Sequence, residues 1–296
     1  MEITRRDVLK LAAAGGVAGL AGCAVRPAPV AGGGPASGPA MPAVFLSHGS
    51  PMVALAKDDY AKALAKMGTD LPTPKAILVV SAHWMDDLPV KVTGGAKPEM
   101  IYDFGGFPDE LYKINYPSPG HPALATEIAG MLQGAGFAAR LEDRGLDHGA
   151  WVPLTMAYPG ADLPVLEVTL PLGMGPGELV KLGRAIAPLR RRGVLVIGSG
   201  GMTHNFERGS DDPTEKPDAW ARKFEEWVVG RMEAHDVAAL VDWQVQAPHA
   251  EIAHPTTEHF DPLFVVLGAT APGDRVKDVY VGWRNANFSM RTFAMG

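Results

Sequence analysis

The chain has a single cysteine, Cys23, among 296 residues. A disulfide framework is thereby excluded, and so is a zinc site built on thiolates. Any metal must be held by His, Asp or Glu. The body carries no block of Lys or Arg, and the formal net charge is −6. That balance argues against nucleic acid as a partner, because phosphate binding needs a concentrated basic footprint. Gly198-Ser199-Gly200 lacks the Gly-x-Ser-x-Gly frame of a nucleophile elbow. A phosphate-binding loop ending in Gly-Lys-Ser/Thr is missing, as is a His-Glu-x-x-His helix. After residue 41 there is neither an internal repeat nor a linker that would divide the body. Hydrophobic residues make up 47% and charged residues 20%, a balance that suits one folded domain.

The first 40 residues read as an address. Thr4-Arg5-Arg6-Asp7-Val8-Leu9-Lys10 resembles a twin-arginine export signal. The apolar stretch from Leu11 to Gly22 is too short for a membrane span and suits a signal core. Leu20-Ala21-Gly22-Cys23 resembles a lipobox, which would leave Cys23 as a lipidated first residue. Residues 24–40 are rich in Pro, Gly and Ala and read as a flexible tether. The expected organisation is a signal over 1–23, a tether over 24–40 and one catalytic domain over 41–296. The expected location is periplasmic or membrane-anchored.

The body holds nine histidines, and three of them follow apolar strand-like runs. Residues 43–47 lead into His48, 76–82 into His83, and 194–199, through a glycine pair, into His204. In an open α/β sheet, ligands bind outside the carboxyl ends of the strands. Parallel neighbours would therefore gather three distant imidazoles at one rim, and imidazole is the commonest protein metal ligand. Strand-like runs alternate with helix-like ones along the whole body, which predicts an α/β architecture. Helices are expected near 58–67, 122–132, 176–191, 217–233 and 256–267. An edge strand is expected at 90–93, short strands at 137–141 and 164–170, and two late strands at 276–281 and 288–293.

Other histidines carry weaker signals. His148 lies in the loop-like Asp147-His148-Gly149, where a neighbouring carboxylate can raise its basicity, and general acid/base work is its expected role. His259 follows Glu258 at a capped helix start and reads as a further ligand or a substrate contact. His204 reads as either a ligand or an acid/base group. His121, His235, His249 and His254 have bland contexts. The stretch from Tyr102 to Gly120 is long for a loop and carries Tyr102, Phe104, Phe107, Tyr112 and Tyr116. A loop of that length is usually functional, here as a lid or wall for a flat substrate, with Phe104 and Phe107 as candidate contacts.

Seven motifs then occur in register: His48-Gly49-Ser50-Pro51, Ser81-Ala82-His83-Trp84, Asp103-Phe104-Gly105-Gly106-Phe107-Pro108, Tyr116-Pro117-Ser118-Pro119-Gly120, Asp147-His148-Gly149, the glycines before His204-Asn205, and Pro255-Thr256-Thr257-Glu258-His259. Together they resemble the class III extradiol ring-cleavage dioxygenases of the LigB-like superfamily, in their 4,5-DOPA extradiol branch. The resemblance implies a single-domain three-layer α/β sandwich around a mixed, largely parallel sheet. It implies one non-haem metal, Fe(II) for activity with Zn(II) as a frequent occupant, and an ortho-diphenol cleaved with O₂. Carried over, His48, His83, His204 and His259 match metal-proximal positions and His148 matches the acid/base position. Either His259 or the adjoining Glu258 can complete the shell. A zinc hydrolase using the same histidines and a non-catalytic metal-binding lipoprotein are the alternatives.

Overall fold

Alternate residues of the apolar runs face opposite ways, and each way there is a core. In β1 (Ala43–Ser47) and β2 (Ala76–Asp86), Phe45, Leu78 and Val80 join one apolar cluster, while Val44, Leu46, Ile77 and Val79 join another. A strand buried on both faces has no polar side to show, which is why these runs are continuously hydrophobic. The computed structural model describes residues 39–296. The export signal, the lipobox with Cys23 and the tether up to residue 38 lie outside the described residues.

Six further strands complete the main sheet: β3 (Val90–Thr93), β4 (Ala139–Glu142), β5 (Val165–Pro171), β6 (Val194–Gly200), β7 (Val276–Tyr280) and, after the short pair β8 (Trp283–Arg284) and β9 (Phe288–Ser289), β10 (Thr292–Met295). Their order is β4-β3-β5-β2-β6-β1-β10-β7. The central strands β5, β2, β6 and β1 are mutually parallel, and β3 and β10 run antiparallel to that core. The helices are α1 (Asp59–Asp70), α2 (Pro122–Gly134), α3 (His148–Ala157), α4 (Pro176–Ile186), α5 (Ala219–Glu233), α6 (Val237–Val241), α7 (Trp243–Gln246), α8 (Ala250–Ala253) and α9 (Pro262–Ala269). Apolar residues of α2, α4, α5 and α9 fill one core, and those of α1 and α3 fill the other. The result is a three-layer α/β sandwich around a mixed, mostly parallel sheet, as expected.

Several elements differ from the sequence reading, each for a physical reason. Strand β2 continues through His83 to Asp86, and its register against β5 jumps between Val80 and Met85. His83 therefore sits on a bulge, a device that re-aims a side chain. Strand β3 is not an edge, because β4 pairs outside it and all four of its residues are buried. Residues 147–149 open helix α3 rather than forming a loop. That helix carries Gly149 and Pro153 and is buried almost all round, so it shows no amphipathic stripe. The helix expected from 256 begins only at Pro262, a residue suited to a first helical position, and His259 lies in the preceding turn. The helix over 176–191 tightens to 3₁₀ geometry at Ala187–Arg192, where Pro188 enters. The expected strand over 288–293 is split between the β8–β9 ribbon and β10.

Candidate metal centre

His48 leaves β1 at its carboxyl end, and its N–H bonds Gly200 O at 3.1 Å, extending the β1–β6 ladder by one residue. The ring is buried. Ser199 Oγ donates to Gly149 O at 2.5 Å, which commits the hydroxyl hydrogen. The contact between Ser199 Oγ and His48 Nδ1, 2.9 Å, must then have the imidazole as donor. This fixes the tautomer and leaves the Nε2 lone pair free, the form a metal ligand needs.

That Nε2 lies 3.0 Å from Nε2 of His83. Burial, then the neighbouring His148, pushes the His83 imidazole down to about 3. Burial first and His83 next hold His48 far below the usual histidine value. Two neutral imidazoles thus face each other through ring nitrogens. Metal–nitrogen bonds are about 2.0–2.1 Å for zinc, so nitrogens at this separation can both reach one cation.

His148 begins α3 and is held by a residue that sequence reasoning passed over. Asp103 accepts from the His148 N–H at 3.0 Å and from Nδ1 at 2.9 Å. Asp103 also lies 3.7 Å from His83 Nδ1. Burial pushes the Asp103 carboxyl up, but the hydrogen bonds and charge of His148 outweigh it and hold the group below its ordinary value. The orienting carboxylate therefore comes from the aromatic loop and not, as the sequence order suggested, from Asp147.

Asp147 works underneath. Its Oδ1 accepts from Ser81 Oγ at 2.7 Å, and Ser81 Oγ in turn accepts from the His83 N–H at 3.1 Å. Glu167 accepts from the Asp147 N–H at 2.9 Å and from Arg144 at 2.9 Å. Arg144 also reaches Asp147 at 3.3 Å and stands 4.5 Å over the Trp84 ring. Both carboxyl groups are fully buried. Burial, then Asp147, drives Glu167 well above the usual glutamate value, and burial also raises Asp147. Two acids at this depth share one guanidinium, so burial and mutual repulsion disfavour the second negative charge, most strongly on Glu167. The sequence signal for this network was Glu167 itself, a lone charge inside an apolar strand.

The remaining pair comes from the other side of the sheet's rim. The His259 Nδ1 contacts Glu258 Oε1 at 3.0 Å, and its carbonyl accepts from the Gly201 N–H at 2.8 Å. Gly200 is required there, because a Cβ on it would stand 2.0 Å from that carbonyl oxygen. The His204 N–H bonds Ala253 O at 2.9 Å. The rings of His204 and His259 stack at 3.4 Å and 6°. Burial lowers His204 to about 4 and holds His259 far below its ordinary value. Behind them His254, expected to be a bland loop residue, is fully buried against Phe224, Trp243 and Phe260. Its Nε2 donates to Met202 O at 3.0 Å, while Nδ1 has no partner.

All five histidines singled out from sequence meet. The ligand atoms of His48, His83 and His148 lie within 4.8 Å of one another, as do those of His204, Glu258 and His259. The His259 ring joins the two sets at 5.3 Å from His48 and 5.0 Å from His83. His121 stays apart and caps α2, its Nδ1 accepting from the Leu124 N–H. Phe104 stands edge-on to His148 at 5.6 Å, with Phe107 against it at 5.4 Å. The aromatic loop thus walls the site as well as supplying Asp103.

A family model described as the catalytic LigB subunit of aromatic ring-opening dioxygenase matches residues 42–291. The chain belongs to the LigB family. Among LigB-type relatives, a 4,5-DOPA dioxygenase extradiol of Beta vulgaris is 38% identical over 244 residues, covering 81% of this chain and 90% of the relative. One of Escherichia coli (strain K12) is 35% identical over 262 residues, covering 86% of this chain and 95% of the relative. The crystal structure of an uncharacterized Escherichia coli K12 protein superposes with a TM-score of 0.74 at 31% identity, covering 86% of this chain and all of that one. The LigB assignment makes the chain an extradiol ring-cleavage dioxygenase. The histidine cluster fits a non-haem metal site, since Nε2 of His48 and His83 stand 3.0 Å apart and burial disfavours the charged form of both rings.

Proposed function

We propose that the protein cleaves the ring of an ortho-diphenol with O₂, using one divalent metal held by Nε2 of His48, His83 and His259. The observation that carries this reading is the pair of facing ring nitrogens of His48 and His83, 3.0 Å apart. The third ring, His259, stands at nearly equal distances from both. Fe(II) is the proposed active metal, with Zn(II) as a competing occupant. A bound iron supplies the electronic path between a diphenol and O₂, as non-haem sites with open positions do.

His204 separates from the four ligands expected on sequence. Its ring is nearly parallel to that of His259 at 3.4 Å. Stacked parallel rings direct their lone pairs in separate planes, so His48, His83 and His259 would hold the ion and His204 would stand beside it. His204 is therefore assigned to proton handling. His148, with its Nδ1 held by Asp103, takes a proton from a catechol hydroxyl at Nε2 and returns one when the ring opens. The Asp103 carboxylate stabilises the imidazolium that forms. Phe104 and Phe107 pack against the flat ring and exclude water. Both atoms of O₂ end in the ring-opened product.

Anaerobic iron reconstitution followed by oxygen uptake with a catechol panel tests the activity. Stoichiometric O₂ consumption with a yellow ring-opened product is expected. Metal binding without O₂ uptake on any diol overturns the reading in favour of a hydrolase or a binding protein. For the roles, His259→Ala is expected to lose metal while His148→Ala keeps it and loses turnover; the reverse pattern exchanges the two assignments. We also propose export by a twin-arginine route with a lipid anchor at Cys23, on the motifs at Arg5-Arg6 and Leu20–Cys23. Cell fractionation of an Arg5→Lys/Arg6→Lys variant, expected to stay cytoplasmic, and of Cys23→Ala, expected to leave the membrane, tests it.

A further inference from the structure

Phe206 is 79% exposed, yet its backbone is fixed. The preceding Asn205 is buried, and its Oδ1 accepts from the Glu207 N–H at 2.9 Å and the Arg208 N–H at 3.2 Å. Its Nδ2 donates to Ile252 O at 2.7 Å, and Asn287 Nδ2 donates to its carbonyl at 2.9 Å. A single apolar side chain in water on a loose loop needs no explanation. Here a buried amide and its neighbours hold the short 3₁₀ turn at Phe206–Arg208, and the ring it presents is left wet.

The position of that ring suggests its use. Phe206 stands edge-on to His204 at 4.7 Å and 80°. Phe288 lies 5.4 Å from Phe206 and 5.7 Å from His204. The imidazoles form a contact row from His148 through His83 and His259 to His204, with neighbouring centroids 3.9, 5.0 and 3.4 Å apart. Phe104 flanks the first ring of the row and Phe206 the last. A diol ring bound along the row meets Phe104 at one end, and any substituent leaving it at the other passes over Phe206 and Phe288.

We propose that Phe206 and Phe288 form a specificity shelf for an apolar or aromatic substituent on the diol ring, so that the preferred substrates are aryl- or alkyl-substituted catechols. This inference rests on the catechol reading above and adds the substituent. Aromatic faces contribute through area and through edge-to-face geometry, both of which a phenyl substituent satisfies. A preorganised shelf loses little freedom on binding.

The test compares catechol and 4-phenylcatechol as ligands of the zinc-loaded protein by titration calorimetry. Zinc has no redox chemistry, so no turnover disturbs the measurement. The wild type is expected to bind 4-phenylcatechol at least ten-fold tighter than catechol. In Phe206→Ala the ratio of the two dissociation constants is expected to fall to near one, and in Phe206→Trp to stay near that of the wild type. A wild-type ratio near one, or an unchanged ratio in Phe206→Ala, overturns the shelf while leaving the catechol reading intact. A wild type that binds neither diol overturns both. The position is exposed, so loss of folding does not confuse the alanine variant.

Discussion

The two ends of the histidine row are supported by opposite kinds of chemistry. At the His83–His148 end, side-chain charges hold the rings: Asp103 takes His148, and Ser81, Asp147, Glu167 and Arg144 tie the β2 bulge to the start of α3. At the His204–His259 end, apart from the Glu258 contact to His259, the loops are held by main chain, neutral amide side chains and packing. Gly201 bonds His259, His204 bonds Ala253, and an aromatic box closes around His254. The difference follows from where each ring is mounted. A strand and a helix cross at an angle and leave a gap that polar side chains bridge, whereas two loops can lie against each other and pair their own backbones. The charged end is therefore sensitive to isosteric changes of charge, and the apolar end to changes of shape or of single donors.

The largest contrast is expected within the buried acids. Asp147→Asn keeps one acceptor oxygen but removes the charge beside Arg144 and turns an amide donor toward either Arg144 or Ser81, and is expected to destabilise the fold by about 3–5 kcal/mol, the range for breaking a buried charged network. Glu167→Gln, which keeps an acceptor for the Asp147 N–H and removes the charge that burial penalises most, is expected to cost far less. Chemical denaturation of the two variants checks this, and equal losses would show that the Glu167 charge is no more dispensable than that of Asp147. Next comes Asp103→Asn. It frees the ring of His148 and is expected to lower kcat by about 10–100-fold, the usual effect of removing an orienting carboxylate, with metal content retained. Metal analysis beside steady-state kinetics checks it, and loss of metal would place Asp103 in the ligand field instead.

At the apolar end, His254→Phe keeps the shape and deletes the donor to Met202 O. The stranded carbonyl costs about 1–3 kcal/mol, and His254→Gln, which restores a donor, should recover part of it. A thermal shift series over the three proteins decides, and a fully stable phenylalanine variant would show the bond to be idle. The smallest effect concerns pH. The imidazole of His254 is lowered to about 3 by burial, and His83 and His204 are lowered to about 3 and 4. A depressed folded value means that the unfolded chain binds protons more readily. The associated stability is thus full above about pH 6.5, the unfolded histidine value, and is lost as pH falls below it. The melting temperature of metal-free protein should fall between pH 6.5 and 4, and the slope should be shallower in His254→Phe. An unchanged slope in that variant would remove His254 from the titrating set.

Much of this was legible in the chain. The parallel strands β1, β2 and β6 could be read because burial on both faces forces continuous apolar runs, and each run had a histidine within a few residues of its end. The supporting groups were harder to see. Asp103 was hidden by its surroundings, since a loop crowded with Phe104 and Phe107 reads as a wall before it reads as a source of charge. Asp147 misled, because chain neighbours at a helix start point away from each other. Helix α3 and the turn before α9 were missed or misplaced for want of an amphipathic stripe, a signal that total burial erases. His254 had no local signature at all, for its role depends on contacts with Met202 and with aromatic residues as distant as Phe224.

The five rings stand at positions 48, 83, 148, 204 and 259, so no contiguous piece of the chain owns the cluster. Occupancy by a cation would consequently report on completed assembly of the domain. A partly folded chain would hold the ion weakly, and a chelator would work as a mild denaturant, lowering the midpoint of unfolding with the logarithm of free metal.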